Sequence, residues 1–566
     1  MESESQQLTK SDLLAYFLAE SRVPAVFELS GGMIAFITDA IARLGKTPII
    51  STRHEQAAGF AAEGATRFTG RSAVAMATSG PGATNLITAI ASSYFDSVPT
   101  IFITGQVNQK ELKKNLNQRQ NGFQEFDIVQ SVYGITKYAV RLNSKSNLLN
   151  ELTKAWKIAK SGRPGPVLLD IPIDVQQENI SRDFEKKIIK PVTIQKDSKN
   201  LRIDKLLQLI KESERPIFLL GGGIQTSKVT NILRQVIDKW KIPAVHSLMG
   251  IDVLEASSPY RIGMIGTYGN RWANRAIAKA DLIIALGTRL DIRQTGPDLN
   301  EFICGKKIFR VDIDSYELKG RIKANVSVNA NLERFVRALS EIDFRGDYSK
   351  WLAEIKMEEK LFPQRAEQPI DVAFNPDEIM VWLSSMQLKI NGYIVDVGQH
   401  QMWAAQSLRL RENERFITSG GLGAMGFALP AAIGASVSHP GRWIVITGDG
   451  CAQLSIAELQ TIQQLNLPIT VCILNNNQHG MVAQFQESNL GSRFTATREG
   501  YSAPNFCKVS QAFGITSHYI ENSQDLIDAK EFVSKWNSGP LVLEFSISLA
   551  AKALPKMGYG DAIQDL

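Results

Sequence analysis

Two short apolar runs, WIVI at 443–446 and ITVCIL at 469–474, end on residues that do not continue a buried strand. Gly448-Asp449-Gly450 follows the first, and Asn475-Asn476-Asn477 follows the second. Their length and β-branched content predict buried strands. Between them, residues 455–465 carry a helical apolar period, and Pro468 stops the helix. Strand, helix and strand make one βαβ unit, whose crossover brings both strand C-termini to the same sheet edge. Asp449 and Asn476, distant in sequence, are therefore expected to share a crevice.

The same grammar runs along the whole chain, which predicts an α/β protein of doubly wound parallel sheets covered by helices. In the first third the strand candidates are AVFEL, PIIST, SAVAMAT, TIFITG and PVLLDIP, with helices expected over 56–68 and 82–95. The polar stretch at 174–187 reads as a linker. The middle third offers PIFLLGGGI, IPAVHSL, DLIIALGTRLD and KIFRVDID, closed by a second polar stretch at 344–368. GYIVDVG, RWIVITGDG, PITVCILNN and GPLVLEFSI supply the last third. With 566 residues the chain is too long for one core. Three domains are expected, at 1–178, 195–345 and 370–566.

A net charge of +6 without a basic block gives no sign of nucleic-acid binding. No apolar run reaches membrane-spanning length, and the start MESESQQLTKSDLL lacks a secretory pattern. Cys304, Cys451, Cys472 and Cys507 show no CxxC spacing; Cys451 and Cys472 lie inside or beside predicted strands, so buried free thiols are expected rather than disulfides or metal ligands. A cytoplasmic enzyme acting on small molecules is the expectation.

A carboxylate and an amide oxygen converging at strand ends suit Mg²⁺, which takes oxygen ligands and completes its shell with phosphate. Gly448 and Gly450 leave room for a diphosphate, and the helix that follows offers N–H groups. GDG with a downstream Asn pair resembles the diphosphate–Mg²⁺ motif of thiamine diphosphate (ThDP) enzymes. The resemblance implies Asp449, Asn476 and the Gln478 main-chain carbonyl as metal ligands. Such an enzyme also needs a carboxylic group at the pyrimidine N1′. Glu55, between the strand PIIST and an Ala/Gly-rich helix, is the candidate; Glu63, in the middle of that helix, lacks such a placement.

RHEQAAGFAAEGATRFTGRSAVAMATSGPGATNL, SGRPGPVLLDIP, VGQHQMWAAQ, GGLGAMGFALPAAIGA and GMVAQFQ together resemble the catalytic subunit of acetohydroxyacid (acetolactate) synthase. The resemblance spans nearly the whole chain. It implies pyrimidine-binding, FAD-binding and diphosphate-binding domains. It also implies a homodimer or dimer of dimers, in which Glu55 of one subunit meets Asp449 of the other. Val397, Gly398, Gln399, His400, Gly423, Gly448, Gly450, Gly480, Met481 and Val482 would hold ThDP, with Met425 as the wedge beneath its thiazolium. The run Gly421-x-Gly423-x-x-Gly426 also matches a dinucleotide fingerprint, but the preceding RFITS is only a weak strand. FAD would lie on Arg163, Gly221, Gly222, Gly223, Arg289, Asp291, Arg293, Asp312 and Ile313. Gly32 and Gln124 would serve the reacting carbon, and Phe123, Gln124 and Phe485 would line the substrate pocket.

The departures from the family pattern cluster near the expected active-site entrance. Ser30 stands for Pro, Ile173 for Lys, Thr267 for Met and Ile292 for Asp, while Phe485 replaces a Trp associated with 2-ketobutyrate as acceptor. The implied reaction moves a two-carbon unit from pyruvate to a second carbonyl, either a 2-keto acid or a bulkier ketone such as a nucleotide-linked keto-sugar. An oxidase or simple decarboxylase of the same fold is the remaining alternative.

Overall fold

The computed structural model describes residues 7–115, 117–181, 200–372, 374–386, 388–536, 539–558 and 562–563. Three six-stranded parallel sheets follow one another along the chain. The first contains β1 (Val26–Glu28), β2 (Ile49–Ser51), β3 (Val74–Ala77), β4 (Ile101–Gln106), β5 (Tyr138–Arg141) and β6 (Val167–Pro172). The second contains β7 (Pro216–Leu220), β8 (Ala244–His246), β9 (Arg261–Met264), β10 (Leu282–Leu286), β11 (Lys307–Asp312) and β12 (Val326–Asn329). The third contains β13 (Ile390–Val395), β14 (Arg415–Thr418), β15 (Arg442–Gly448), β16 (Ile469–Asn475), β17 (Thr516–Ile520) and β18 (Leu541–Ser546).

Strand order decides where ligands can bind. The first sheet runs β2-β1-β3-β4-β6-β5, and the third repeats that order as β14-β13-β15-β16-β18-β17. The middle sheet runs β9-β8-β7-β10-β11-β12, the arrangement of dinucleotide-binding folds. In the first and third sheets the chain turns back once at the far edge, from β5 to β6 and from β17 to β18, and in every sheet it reverses its direction of winding, between β1 and β3, between β7 and β10, and between β13 and β15. Loops leaving the C-terminal ends of those strand pairs diverge and open a crevice.

The structure corrects several expectations. RFITS is a real strand, β14, paired with β13 at the sheet edge. The stretch at 344–368 is largely the helix Ser349–Leu361, which buries Trp351 and Ile355 in the middle core. The helix expected over 82–95 is two, Pro81–Asn85 and Ile87–Phe95. The linker expected at 174–187 opens as the short helix Ile173–Gln176, and its part from 182 onward lies outside the described residues.

The first and third sheets share a core. Helix Glu55–Thr69 packs on helix Ala428–Ser438, and Phe60 and Phe427 meet edge to face with ring centroids 5.4 Å apart. Backbone touches backbone here: a Cβ on Gly64 would sit 2.2 Å from the Ala431 carbonyl oxygen, and one on Gly434 1.8 Å from that of Ala61. Glu63 lies on this seam, fully buried and ion-paired with Arg67, which also pairs with Asp96. Arg67 Nη1 donates to the Thr418 carbonyl at 3.0 Å, and Asp96 Oδ1 accepts from the Gly421 amide at 2.7 Å. No helix among the described residues is long and apolar enough to cross a membrane.

Candidate active site

At the β13–β15 reversal three loops converge. β15 leads directly into Asp449, and β16, in register with it through Gly448 and Leu474, leads into Asn476. Asp449 is buried, and desolvation pushes its carboxyl up to about 6 against the hydroxyl of Tyr501, which donates to Oδ2 at 2.8 Å. Asn476 spends its amide nitrogen on Gln399 Oε1 at 3.0 Å, so its amide oxygen stays available as a ligand. The Gln478 side chain is engaged, accepting from Arg498 Nε at 2.6 Å and donating to the Leu549 carbonyl at 3.1 Å. Its main-chain carbonyl accepts one bond, from the Gly480 amide at 3.0 Å, and keeps a second lone pair.

These residues fit a diphosphate and a hard cation. One carboxylate, one amide oxygen and one main-chain oxygen form an all-oxygen set too small to close a metal shell alone. Among the described residues no cluster of three or more His, Cys, Asp or Glu side chains suits a metal, so a phosphate would have to complete the shell. His400 supports the fit. Its ring is wedged against two backbones, where a Cβ on Gly398 would lie 2.6 Å and one on Gly448 2.8 Å from ring atoms. Burial holds this imidazole neutral, its pKa lowered to about 3, and Nε2 has no partner. A buried ring nitrogen without a partner at a strand C-terminus calls for a polar ligand.

Sequence reasoning missed the residue that builds the next loop. Asp396, at the end of β13, accepts the amides of Val397 at 2.9 Å, Gly426 at 3.0 Å and Ala428 at 3.0 Å. Three amide donors to one buried carboxylate hold Gly423 and Met425 over the crevice, with Gly423 at φ +72° and Gly426 at φ +78°. The Met425 methyl lies 3.5 Å from where a Gly450 Cβ would stand, beside the diphosphate loop. A Cβ on Gly480 would meet Gln399 Oε1 at 1.9 Å, so the start of helix Gly480–Asn489 presses on the same crevice. Met481 and Val482 stand on its first turn, and Val482 is exposed.

Glu55 opens its helix after β2. It is buried, and Oε2 accepts from Asn85 Nδ2 at 2.9 Å. At the β1–β3 reversal of the same sheet, Gly32 has open space where a Cβ would stand. Gln124 sits at φ +62° against Gly80, a backbone strain of the kind found at binding sites. Phe123 is 80% exposed and Phe485 53%, so the walls expected of a substrate pocket face outward in a single protomer. Within one protomer no hydrogen bond among the described residues ties Glu55 to the Asp449 crevice; the neighbouring Arg53 amide instead reaches Glu458, at the start of the helix between β15 and β16, at 2.8 Å.

At the β7–β10 reversal lies a cavity of about 1830 Å³ between the three sheets. Arg163, Gly222, Gly223, Arg289, Asp291, Arg293, Asp312 and Ile313 line it, together with Thr267 and Ile292. Gly221 is not on the lining; a Cβ there would strike the Gly287 carbonyl at 2.1 Å, so its small size serves the β7–β10 contact. Asp291 is half committed, capping helix Ile292–Thr295 and pairing with Arg289 at 3.0 Å. Arg163 reaches Glu317 at 2.7 Å across the first and middle sheets. Burial pushes Asp312, at the end of β11, above the usual carboxylate range.

Three domain families match the chain: the thiamine pyrophosphate enzyme N-terminal TPP-binding domain over 8–131, the central domain over 203–339, and the C-terminal TPP-binding domain over 396–545. The acetolactate synthase large subunit of Porphyra purpurea is 35% identical over 554 residues, covering 94% of this chain and 91% of the relative. The acetolactate synthase isozyme 2 large subunit of Escherichia coli K12 is 35% identical over 550 residues, covering 97% of each. Acetolactate synthase 2, chloroplastic, of Nicotiana tabacum is 34% identical over 575 residues, covering 98% of this chain and 84% of the relative.

Proposed function

The chain belongs to the acetolactate synthase catalytic-subunit family of thiamine diphosphate enzymes, and on that premise we propose that it decarboxylates pyruvate and joins the remaining two-carbon unit to a second carbonyl. The observation that carries this reading is the meeting of Asp449, Asn476 and His400, whose Nε2 has no partner, at one sheet reversal.

ThDP, when bound, supplies the electron sink for decarboxylation and ligation. Asp449, Asn476 and the Gln478 carbonyl hold Mg²⁺, and through it the diphosphate. His400 and the loop of Val397, Gly398 and Gln399 close round the phosphates with Gly448, Gly450, Gly480, Met481 and Val482. The Asp396-braced loop would present Gly423 and Met425 to bound ThDP. Glu55, aligned by Asn85, holds a proton at the pyrimidine N1′. Gly32 and the strained Gln124 would serve the reacting carbon. Phe123 and Phe485 border the acceptor.

Arg163, Gly222, Gly223, Arg289, Asp291, Arg293, Asp312 and Ile313 hold FAD in the central cavity, with Gly221 fixing the turn behind it. The flavin serves structure and takes no part in net redox chemistry. The active protein is a homodimer, or a dimer of dimers, with each site built from two protomers. Exposed Phe123, Leu454, Val482 and Phe485 offer the apolar surface that a second copy covers. The divisions 1–178, 195–345 and 370–566 each enclose one sheet and remain our reading of the domains. We place the enzyme in the cytoplasm, although the tobacco relative is named chloroplastic.

A bulkier acceptor, such as a nucleotide-linked keto-sugar, is favoured by Phe485, 53% exposed, where the family pattern carries the larger Trp. Product analysis from pyruvate alone, with 2-ketobutyrate, and with a nucleotide-linked keto-sugar tests the proposal. A new C–C bond in any of them supports it. Acetate or acetaldehyde as the sole product contradicts it.

A further inference from the structure

The loop after helix Gly480–Asn489 folds back over the metal crevice and bonds to its residues in turn. Asn477 Oδ1 accepts the Ala503 amide at 2.8 Å. Gln478 Oε1 accepts Arg498 Nε at 2.6 Å, and the His479 amide donates to the Thr497 carbonyl at 3.1 Å. The fourth bond crosses to the neighbouring strand end, where the Tyr501 hydroxyl donates to Asp449 Oδ2 at 2.8 Å.

Tyr501 is held for that contact from two sides. Gln453 Nε2 donates to the phenol oxygen at 3.0 Å, which fills an acceptor site and leaves the hydroxyl proton for the carboxylate. The His479 ring centroid lies 4.4 Å from that of Tyr501 and fixes the plane of the phenol. Oδ1 of Asp449 has no side-chain donor among the described residues. Carboxylates that bind metals are commonly oriented by such outer partners, whose loss weakens metal binding about 10- to 100-fold.

We propose that Tyr501 is a positioning residue of the metal centre, pinning one oxygen of Asp449 so that the other is presented to a divalent cation. The inference rests on the reading of Asp449 as a metal ligand. It assigns a role to a loop residue that touches neither substrate nor reacting atoms.

The test is Mg²⁺ titration of the full chain at saturating ThDP, with cofactor binding followed by quenching of tryptophan fluorescence. Tyr501→Phe keeps the ring on His479 and removes only the hydroxyl. Its Mg²⁺ midpoint is expected to rise about 10-fold or more, while the thermal midpoint without Mg²⁺ and ThDP stays close to wild type. A midpoint within about twofold of wild type overturns the proposal, whose effect size is set by outer-ligand losses. Were the variant poorly folded, Gln453→Leu decides on the same midpoint: a rise supports the assignment and no change overturns it. Asp449→Asn separates the two levels. If it binds ThDP with wild-type Mg²⁺ dependence, the metal-site reading itself falls; if it loses that dependence while Tyr501→Phe keeps it, only the role of Tyr501 falls.

Discussion

Asn85 Nδ2 donates to Glu55 Oε2 at 2.9 Å, joining two helices that flank β3 and fixing the direction of a buried carboxyl group. Glu55→Gln keeps the shape and removes the acid. Turnover should fall roughly 10²- to 10⁴-fold, the usual weight of a positioned acid, while ThDP still binds. A near-normal steady-state rate would remove Glu55 from the mechanism.

Asp449→Ala strips the crevice of the carboxylate assigned to the metal. ThDP with moderate Mg²⁺ should then give no thermal stabilisation, whereas a ligand at 100 times its Kd stabilises the intact protein by about 2.7 kcal/mol. Equal shifts in melting temperature for both proteins would place the diphosphate elsewhere.

Phe485 is half exposed on helix Gly480–Asn489, so enlarging it should leave stability within about 0.5 kcal/mol. Phe485→Trp should raise the share of 2-ketobutyrate used as acceptor in direct competition with pyruvate. An unchanged product ratio would show that this position does not set acceptor choice.

The seam between the first and third sheets depends on Gly64, where a Cβ would press to 2.2 Å on the Ala431 carbonyl oxygen. Gly64→Ala should destabilise the protein by about 1–3 kcal/mol through overpacking. Denaturant unfolding measures it, and a neutral result would mean that the helices separate at little cost.

Asp377 is buried beside Ser407 and Gln368, and desolvation raises its pKa from 3.8 to about 7. The native state therefore keeps a proton that the unfolded chain releases. This contribution is full below about pH 4 and is lost as pH rises to about 7, at about 1.4 kcal/mol per unit. Asp377→Asn should gain stability relative to wild type between pH 5 and 7 and show no further gain above that. Parallel unfolding curves across this range would contradict the assignment.

Central strands were legible because they are buried on both faces and read as unbroken apolar runs, as in TIFITG and PITVCIL. Every strand that the sequence reading missed or undervalued, β5, β9, β12, β14 and β17, is an edge strand. Tyr138–Arg141 and Thr516–Ile520 alternate or expose their side chains and lose the apolar signal. Helix Ser349–Leu361 buries only Trp351 and Ile355, too few to outweigh its charged residues. At the site, Asp449 and Asn476 stood out because each follows a strand directly, and Glu55 because it opens a helix four residues past β2. Asp396 carried the same signal in VDVG. Tyr501 carried none, since its role exists only where a distant loop returns to Asp449.

The central claim is that each ThDP is held by Glu55 of one protomer and Asp449 of the other. Mixing Glu55→Gln with Asp449→Ala, two inactive proteins, after dissociation and reassembly tests it directly. Random pairing into two-fold dimers should restore about one quarter of wild-type activity, because half of the dimers then carry one intact site. No recovery, with mixed dimers shown to have formed, would place both carboxyl groups in the same subunit's site and contradict the account.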